Sequence, residues 1–345
     1  MNASENISDS ETTESFLSSF ANTTRIIAYI IVFVSQFVIG IMGNALLVYF
    51  VLRHKKMQSI TNLYVVNLAL SDILICMIWT TLSPTYILVG HWMFGLAMCH
   101  IGAYTLHLCV YVSTLTSVAI AIHRFILVVY PYMQRIKRYV CYIIICIIWV
   151  ISIGCSLPLG IYHTFSFNET TGKAQCDLMW PSPTYGRNYT IVSLFVQFII
   201  PCSIITFCYC KIYSALKTYS SRVKKINFSR QDEKIDTAKK RKTNSMLALM
   251  VVLFVGCWLP FNAVILAYEF GFSSFSLSVQ NNYGQIFAVS YIIAIGSTMF
   301  RPLLFSRMKK GFKIMLTSFL SCKCSKARSL FKRLTQNTKQ RSAMV

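Results

Sequence analysis

Asp72, Arg124, Glu269 and Arg301 are charged residues inside long apolar stretches of the sequence, where a charge is costly unless it has a partner or a task. Asp72 and Arg301 have opposite charges, and a buried carboxylate and guanidinium compensate each other far better than either stands alone. We therefore predict that Arg301 contacts Asp72; in the alternative, Arg301 extends from the end of its helix to water. Glu269 ends another stretch, where a carboxylate can bind a guanidinium by a charge-assisted bidentate bond or simply be solvated. Arg124 has no carboxylate next to it in the sequence.

The sequence contains seven apolar stretches, four of which include these residues. Each stretch has the ~20 or more residues that a helix needs to cross a hydrocarbon layer ~30 Å thick. The stretches are Ile26–Leu52, Leu63–Val89, Cys99–Leu127, Val140–Leu159, Tyr189–Ser214, Thr243–Phe270 and Tyr283–Leu304. A hydrophobic content of 55% with only 13% charged residues excludes a soluble domain of this length. We predict an all-α membrane protein in which a seven-helix transmembrane bundle over residues 26–305 follows a tail over residues 1–25. A short amphipathic helix over residues 306–321 and a basic tail over residues 322–345 come after it.

Charge divides the connecting segments into two sides. Of the 33 Lys and Arg residues, 28 lie in alternate gaps between stretches or after the last one, whereas the N-terminal segment before Arg25 contains acids and no base. By the positive-inside rule the N-terminus is extracellular and the C-terminus cytoplasmic, in a multi-pass protein of the plasma membrane. The net charge of +22 does not indicate nucleic acid, because the bases adjoin membrane segments, where they fit anionic lipid. The sequons predicted to be glycosylated are Asn2, Asn6, Asn22 and Asn168.

The 13 cysteines sort by side of the membrane. Only Cys99 and Cys176 lie at or beyond the predicted outer face, where oxidation can occur. Two candidates allow one pairing, so the topology predicts a Cys99–Cys176 disulfide. Cys322 and Cys324 follow the last helix in a basic setting that is typical of palmitoylation. Their acyl chains would hold the amphipathic helix on the inner leaflet.

No catalytic or cofactor motif is present in the sequence. The histidines form no HExxH pattern, and there is neither a nucleophile elbow nor a Walker loop. We predict no enzymatic activity, no cofactor and no metal site. A transporter is a weaker alternative, because the sequence has no duplicated half and no matched pair of Gly/Pro-broken helices.

Motifs along the whole bundle resemble those of rhodopsin-class G-protein-coupled receptors. They are Gly43-Asn44, Asn67-Leu-Ala-Leu-Ser-Asp72, Trp92-Met-Phe-Gly95, Cys99 with Arg124, Trp149, Pro201 with Tyr209, Phe254 with Cys257-Trp258-Leu-Pro260, and Pro302. Leu106 stands where aminergic receptors have Asp, and Ile295 stands where opsins have the retinal-binding Lys, so neither group fits. The run Tyr86–His100 and the segment Ile293–Phe305 instead resemble neuropeptide Y-type receptors.

That resemblance implies an extracellular amidated peptide ligand, usually ending in Arg and an aromatic residue. It also implies coupling to a heterotrimeric G protein of the Gi/o type, with arrestin as a further partner. In such receptors an acid at the position of Glu269 pairs with the Arg of the peptide, and Asp177 is a second candidate. Leu106 is a departure, because the family typically has a Gln there that contacts the terminal amide.

Deeper residues at helical spacing would form a mixed floor for an amidated aromatic terminus. They are His107, Gln197, Phe198, Trp258, Phe261, Asn262 and Tyr291. Ordinary packing between helices is the alternative for each of them.

The resemblance also assigns roles to residues inside the bundle. In related receptors Asp72 holds a sodium ion, Arg124 enters the G-protein interface and Trp258 is a packing switch. The further residues matched to switching and coupling are Tyr209, Phe254, Pro260, Arg301 and Pro302. Because Arg301-Pro-Leu-Leu-Phe305 replaces the usual Asn-Pro-x-x-Tyr, we predict that Arg301 takes the place of the sodium ion.

Two of these departures bear on signalling. His123 replaces the acid that normally restrains Arg124, which predicts raised basal activity. Phe305 lacks the hydroxyl of the usual Tyr, which predicts weakened maximal signalling. The same changes motivate the alternative that the chain is a peptide-binding decoy or a weakly coupled receptor.

Overall fold

The computed structural model describes residues 3–133, 136–170, 172–225, 231–271, 282–308 and 312. Within these residues, seven helices are long and apolar enough to cross a membrane. The spans are Thr23–Arg53, Ile60–Val89, Gly95–Val129, Arg138–Tyr162, Pro183–Thr218, Arg241–Gly271 and Tyr283–Arg307, referred to below as the first to seventh helices. The predicted seven-helix bundle is therefore confirmed.

Several helices extend beyond their apolar spans. The first runs over Ala3–Arg53, the sixth over Gln231–Gly271 and the seventh over Tyr283–Met308. The fifth begins at Pro183, passes through a π turn at Phe195–Ile199 and ends at Lys225. Most of the segment predicted as a separate N-terminal tail is thus helical. It contains neither Gly nor Pro, so no residue type in it interrupts a helix begun at Ala3.

The second helix shows how local sequence sets a helix end. Ser59 precedes it in an extended conformation, and its hydroxyl accepts a hydrogen bond from the N–H of Asn62. Gly90 ends it with a left-handed φ of 72° and donates its N–H to the carbonyl of Tyr86. A side chain at Gly90 would be strained by that φ, so glycine closes the helix at the lowest cost.

Small residues and interhelical hydrogen bonds hold the bundle together. A Cβ atom on Gly43 of the first helix would lie 2.8 Å from Cγ of Pro302 on the seventh, so only glycine allows this close approach. The next residue, Asn44, donates to the Thr298 carbonyl at 3.1 Å. Asn67 then joins three helices: it donates to Thr116 at 2.8 Å and accepts from the Trp149 indole at 2.9 Å.

A β-hairpin covers one end of the bundle. Strands β1 (His163–Asn168) and β2 (Lys173–Leu178) pair antiparallel, with Phe165 opposite Cys176. A disulfide joins Cys176 to Cys99 at the start of the third helix, so the predicted pairing is confirmed. We call this the disulfide end of the bundle. The opposite end, where the third helix carries Arg124, is called the Arg124 end.

Several predicted features fall outside the residues that the structure describes. They are Asn2, Cys322, Cys324, the tail over residues 322–345, and all of the amphipathic helix over residues 306–321 except 306–308 and Phe312. Asn6 and Asn22 lie in the first helix, but the placement of their side chains is not described. Asn168 is the last residue of β1 and is exposed.

Candidate ligand cavity and its connection to the Arg124 end

A cavity of about 1060 Å³ opens at the disulfide end between the helices and the hairpin. All seven residues predicted to bind a ligand line it: Asp177, His107, Gln197, Phe261, Asn262, Glu269 and Tyr291. Trp258 lies at its floor. Phe198, which the spacing also placed in the cavity, instead packs against the apolar cluster around Trp258 and Tyr291.

The rim of the cavity carries charges of both signs. Glu269, near the end of the sixth helix, is half-buried, and Asp177 on β2 is exposed. Arg25 of the first helix lines the same cavity, a contribution that the sequence analysis missed. The signal for it was present, because Arg25 is the only base on its side of the first apolar stretch.

His163 of β1 also lines the cavity but adds no charge at neutral pH. Burial lowers the pKa of its imidazole, which outweighs the opposing effect of its hydrogen bond to the Leu159 carbonyl. The bond from Nδ1 to that carbonyl is 2.6 Å long. The charge at the cavity wall therefore comes from carboxylates and Arg25 rather than from this histidine.

Aromatic rings form the floor. Phe261 meets Trp258 edge-on with ring centroids 6.0 Å apart and lies 5.7 Å from the ring of Tyr291. The Tyr291 hydroxyl accepts a hydrogen bond from Ser83 at 2.9 Å, and the Trp258 indole donates to Ser297 at 3.2 Å. These bonds fix the rings, so the floor is a preformed apolar surface with its polar atoms already partnered.

Three polar side chains stand above this floor. His107 shares a hydrogen bond of 3.0 Å between Nδ1 and the Ala103 carbonyl, which in the neutral imidazole leaves Nε2 as an acceptor. Asn262 donates its amide to the Trp258 carbonyl at 2.9 Å. Gln197 lies in the π turn of the fifth helix, and its buried Nε2 has no partner among the described residues. The site therefore offers an acceptor and an unsatisfied donor to a polar ligand group.

Asp72 and Arg301 meet below the cavity. Nη1 of Arg301 donates to Oδ1 of Asp72 at 2.9 Å and to the Leu68 carbonyl at 3.1 Å. Both residues are buried, with 6% and 1% of their surfaces exposed for Arg301 and Asp72. The guanidinium carbon also lies 5.8 Å from the ring centroid of Phe254 on the sixth helix. Arg301 thus contacts the second and sixth helices and does not extend to water.

Unsatisfied polar atoms gather at the Arg124 end. Nε of Arg124, the hydroxyl of Tyr209 and both amide atoms of Asn244 are buried and lack hydrogen-bond partners among the described residues. His123, predicted to act on Arg124, is buried and shares a hydrogen bond of 3.2 Å with Thr61 of the second helix. Polar groups without partners inside a protein mark a place where a partner or a rearrangement can be accommodated.

Phe305 lies in a hydrophobic cluster of the bundle. It is fully buried, and its ring meets that of Phe312 edge-on with centroids 5.2 Å apart. Phe312 in turn lies 5.6 Å from Phe50 of the first helix. Packing therefore replaces whatever polar contact a hydroxyl at this position would make.

Within the described ranges, no group of three or more His, Cys, Asp or Glu side chains could hold a metal ion. Contacts join the cavity floor to the buried pair of Asp72 and Arg301, and polar atoms without partners among the described residues lie at the Arg124 end.

Comparison with known proteins agrees with this geometry. Residues 43–305 match the model of the 7 transmembrane receptor (rhodopsin family). The chain belongs to this family. The protein is therefore a multi-pass receptor of the plasma membrane rather than an enzyme.

Its relatives include neuropeptide Y receptors. The receptor is 32% identical to the human neuropeptide Y receptor type 2 over 302 residues, which cover 86% of this chain and 77% of that protein. The same receptor type from Mus musculus is 31% identical over 299 residues, covering 85% and 76% of the two chains. The resemblance stated from the motifs is thus confirmed.

Proposed function

We propose that the receptor binds an extracellular peptide with an amidated C-terminus, ending in Arg and an aromatic residue, and signals through a Gi/o-type G protein. Arrestin would be a further partner. The names of its relatives support a peptide of the neuropeptide Y kind. In this proposal the disulfide end and the N-terminus face the outside, and the Arg124 end and the C-terminus face the cytoplasm, as the distribution of bases favours.

The observation that carries the proposal is the position of Glu269. Its half-buried carboxylate stands at the rim of a cavity whose floor is aromatic and whose middle offers polar groups. A carboxylate that is partly withdrawn from water binds a guanidinium more strongly than one at the open surface. The aromatic ring that follows the peptide Arg would then lie on Phe261 and Tyr291, with the terminal amide near Gln197.

Binding of synthetic hexapeptide amides ending in Arg-Phe or Arg-Tyr to the intact receptor tests this proposal. We expect Glu269→Gln to weaken binding about 10- to 100-fold, because it removes one partner of a charge-assisted pair without changing the size of the side chain. Replacing the peptide Arg by citrulline should weaken binding to the wild type by a similar factor. The same replacement should weaken binding to the Glu269→Gln variant little further.

The matched control is Glu169→Gln, which removes an exposed carboxylate of the hairpin outside the cavity. It should leave affinity within about twofold, since exposed charges contribute little. Equal affinity of the wild type and Glu269→Gln for all the hexapeptides would show that this carboxylate does not recognise the ligand.

Signalling is assigned to the Arg124 end. We infer that Arg124 receives the G protein, with Tyr209 and Asn244 supplying the polar groups around it. Trp258, Phe254, Pro260 and Pro302 would transmit the ligand signal from the cavity. Nucleotide exchange on the G protein by the purified receptor distinguishes this role from that of a peptide-binding decoy, which binds the hexapeptides without accelerating exchange.

Covalent modification completes the proposal. Asn2, Asn6, Asn22 and Asn168 would carry extracellular glycans. Cys322 and Cys324 would be palmitoylated and would hold an amphipathic helix over residues 306–321 on the inner leaflet, beside anionic lipid.

A further inference from the structure

The backbone of β2 offers one edge that β1 does not use. In an antiparallel pair, alternate residues turn their N–H and C=O groups towards the partner strand and away from it. Met179 donates to the Tyr162 carbonyl on the β1 side, whereas the Ala174 carbonyl accepts from Trp92 on the opposite side. Met179 therefore faces β1 and Ala174 faces away from it. Because the direction alternates along the strand, Cys176 and Leu178 also turn their backbone groups away from β1.

These edge groups have no hydrogen-bond partner in the described part of the chain. Trp92 satisfies the edge only at Ala174, at 2.8 Å. The N–H and C=O groups of Cys176 and Leu178 therefore form a short open edge of two residues. An open edge of this kind is a template for another extended chain.

The open edge faces the ligand cavity. The consecutive residues Cys176, Asp177, Leu178, Met179 and Trp180 all line the cavity, whereas His163 is the only β1 residue that does. Side chains that follow one another along a strand point to opposite faces, so the three consecutive lining residues within β2, Cys176–Leu178, indicate that the cavity runs along the edge rather than over one face.

We propose that an extended segment of the peptide ligand adds to β2 as a third strand, hydrogen-bonded to the backbone of Cys176 and Leu178. This inference rests on the proposed function, because it concerns how the same cavity holds its peptide. Main-chain pairing supplies affinity that does not depend on ligand side chains. The segment lies N-terminal to the Arg that Glu269 binds, where the chain leaves the cavity beside the hairpin.

Strand addition places a definite demand on the ligand. Only every second residue of the added strand turns its N–H towards Cys176 or Leu178, and the residues between them turn theirs away. Side chains on the outward face of the added strand lie beside Asp177, so this position favours a basic or hydroxyl-bearing residue.

A backbone scan of the tightest-binding hexapeptide amide from the series above tests the pairing. Each amide N–H is replaced in turn by an ester oxygen, which removes a donor without adding bulk. We expect losses of about three- to tenfold at alternate positions and near-unchanged affinity at the positions between them, because each net hydrogen bond contributes about 1 kcal/mol.

Receptor variants check the same edge from the other side. Leu178→Pro removes one edge N–H and leaves the bonds to β1 intact, so it should weaken binding about three- to tenfold relative to Leu178→Ala. Phe167→Pro is the matched control: it removes an N–H from the outer edge of β1, away from the cavity, and should leave affinity unchanged. Cell-surface expression of each variant shows whether the hairpin has folded.

The outcomes separate the two proposals. A hexapeptide that binds through Glu269 but shows no alternation in the ester scan, with equal affinity for Leu178→Pro and Leu178→Ala, overturns strand addition and leaves the proposed function intact. Failure of every hexapeptide amide to bind overturns the proposed function and this inference together.

Discussion

At the scale of single residues, charge compensation explains why Asp72 and Arg301 are buried in contact with each other. A carboxylate inside the bundle needs a cation, and a guanidinium attached to the chain is always present at high local concentration. Arg301 also bonds the Leu68 carbonyl and lies against the ring of Phe254, so a single side chain joins the second, sixth and seventh helices. A free ion could neutralise Asp72 but could not tie it to the sixth helix.

We predict that this substitution makes peptide affinity insensitive to sodium. Replacing KCl by NaCl at equal ionic strength should change hexapeptide affinity less than about twofold, since screening is the same in both salts. Arg301→Asn should create sodium dependence by leaving Asp72 without its cation. A strong, sodium-specific change in the wild type that disappears in Asp72→Asn would contradict the substitution.

The stability of the pair gives a second prediction. Arg301→Met should lower the midpoint of thermal denaturation in detergent, because an unpaired buried carboxylate costs about 3–5 kcal/mol. Asp72→Asn combined with Arg301→Met should recover most of the loss. Arg307→Met, at an exposed position of the same helix, is the control and should have no measurable effect. Additive losses in the double variant would show that the two residues are not coupled.

The residues differ in how far the sequence predicted them. Charge compensation predicts the contact of Arg301 with Asp72 without coordinates, and the structure decides against the alternative in which Arg301 extends to water. Phe198 was placed in the cavity by assuming an unbroken helical period, and the π turn that contains it alters that period. Arg25 was missed because a lone base at a membrane boundary is normally read as a topological signal.

At the scale of elements, the fifth helix shows what periodicity cannot reveal. The apolar stretch predicted a helix over Tyr189–Ser214, whereas the helix begins at Pro183, where Ser182 accepts a hydrogen bond from the N–H of Tyr185. The π turn at Phe195–Ile199 adds one residue to the winding. The π winding determines which face of the helix brings Ser193 and Tyr189 to the cavity. No residue type in the turn indicates from sequence that the winding differs there.

Removing the extra residue should remove the π turn without rotating the two halves of this helix. Deletion of Phe195 is expected to restore α-helical winding there, and Pro183–Leu194 should keep its rotation because a π turn holds its extra residue within a single turn. The bonds from Tyr111 to Ser193 and from Tyr189 to the Cys155 carbonyl, each 3.0 Å, should therefore persist. Gln197 lies in the turn and changes its direction, so we expect hexapeptide affinity to fall about three- to tenfold, as it does for a misplaced binding group.

Phe195→Ala is the control for this deletion. It removes the same exposed ring but keeps the residue count, so affinity should stay within about twofold. Basal nucleotide exchange should survive in both variants, because the Arg124 end keeps its winding. Unchanged peptide binding after the deletion would show that the π turn does not position the cavity wall.

At the scale of the whole molecule, one series of contacts connects the cavity with the lower half of the bundle. The Trp258 ring at the cavity floor lies 5.9 Å from that of Phe254, which in turn lies beneath the guanidinium of Arg301. Arg301 then reaches Asp72 on the second helix. A ligand that shifts Trp258 therefore acts on a packed, hydrogen-bonded unit with contacts in three helices, which is the kind of connection that coupling between distant sites requires.

The sequence predicted the molecule at this scale because hydropathy and charge are summed over many residues. Seven spans and the covalent link from Cys99 to Cys176 follow from such sums and from the redox rule. Which side chains face one another across the bundle depends instead on helix rotations of a few tens of degrees. Polar atoms without partners, such as those of Asn244 and Tyr209, could only be found once those rotations were known.

The balance between resting and signalling states is the last prediction. With His123 bonded to Thr61 and no acid beside it in sequence, Arg124 lacks the local carboxylate that would restrain it. If the resting state is favoured by about 1 kcal/mol less, the population of the signalling state rises several-fold. Purified receptor should therefore accelerate nucleotide exchange without peptide, and His123→Asp should reduce that basal rate several-fold while leaving hexapeptide binding in place. Phe305→Tyr restores a hydroxyl in the apolar contact with Phe312. It should raise the maximal rate of nucleotide exchange with peptide and leave the basal rate unchanged. A receptor that is silent without peptide, at normal surface expression, would show that the resting state is held by contacts other than an acid at position 123.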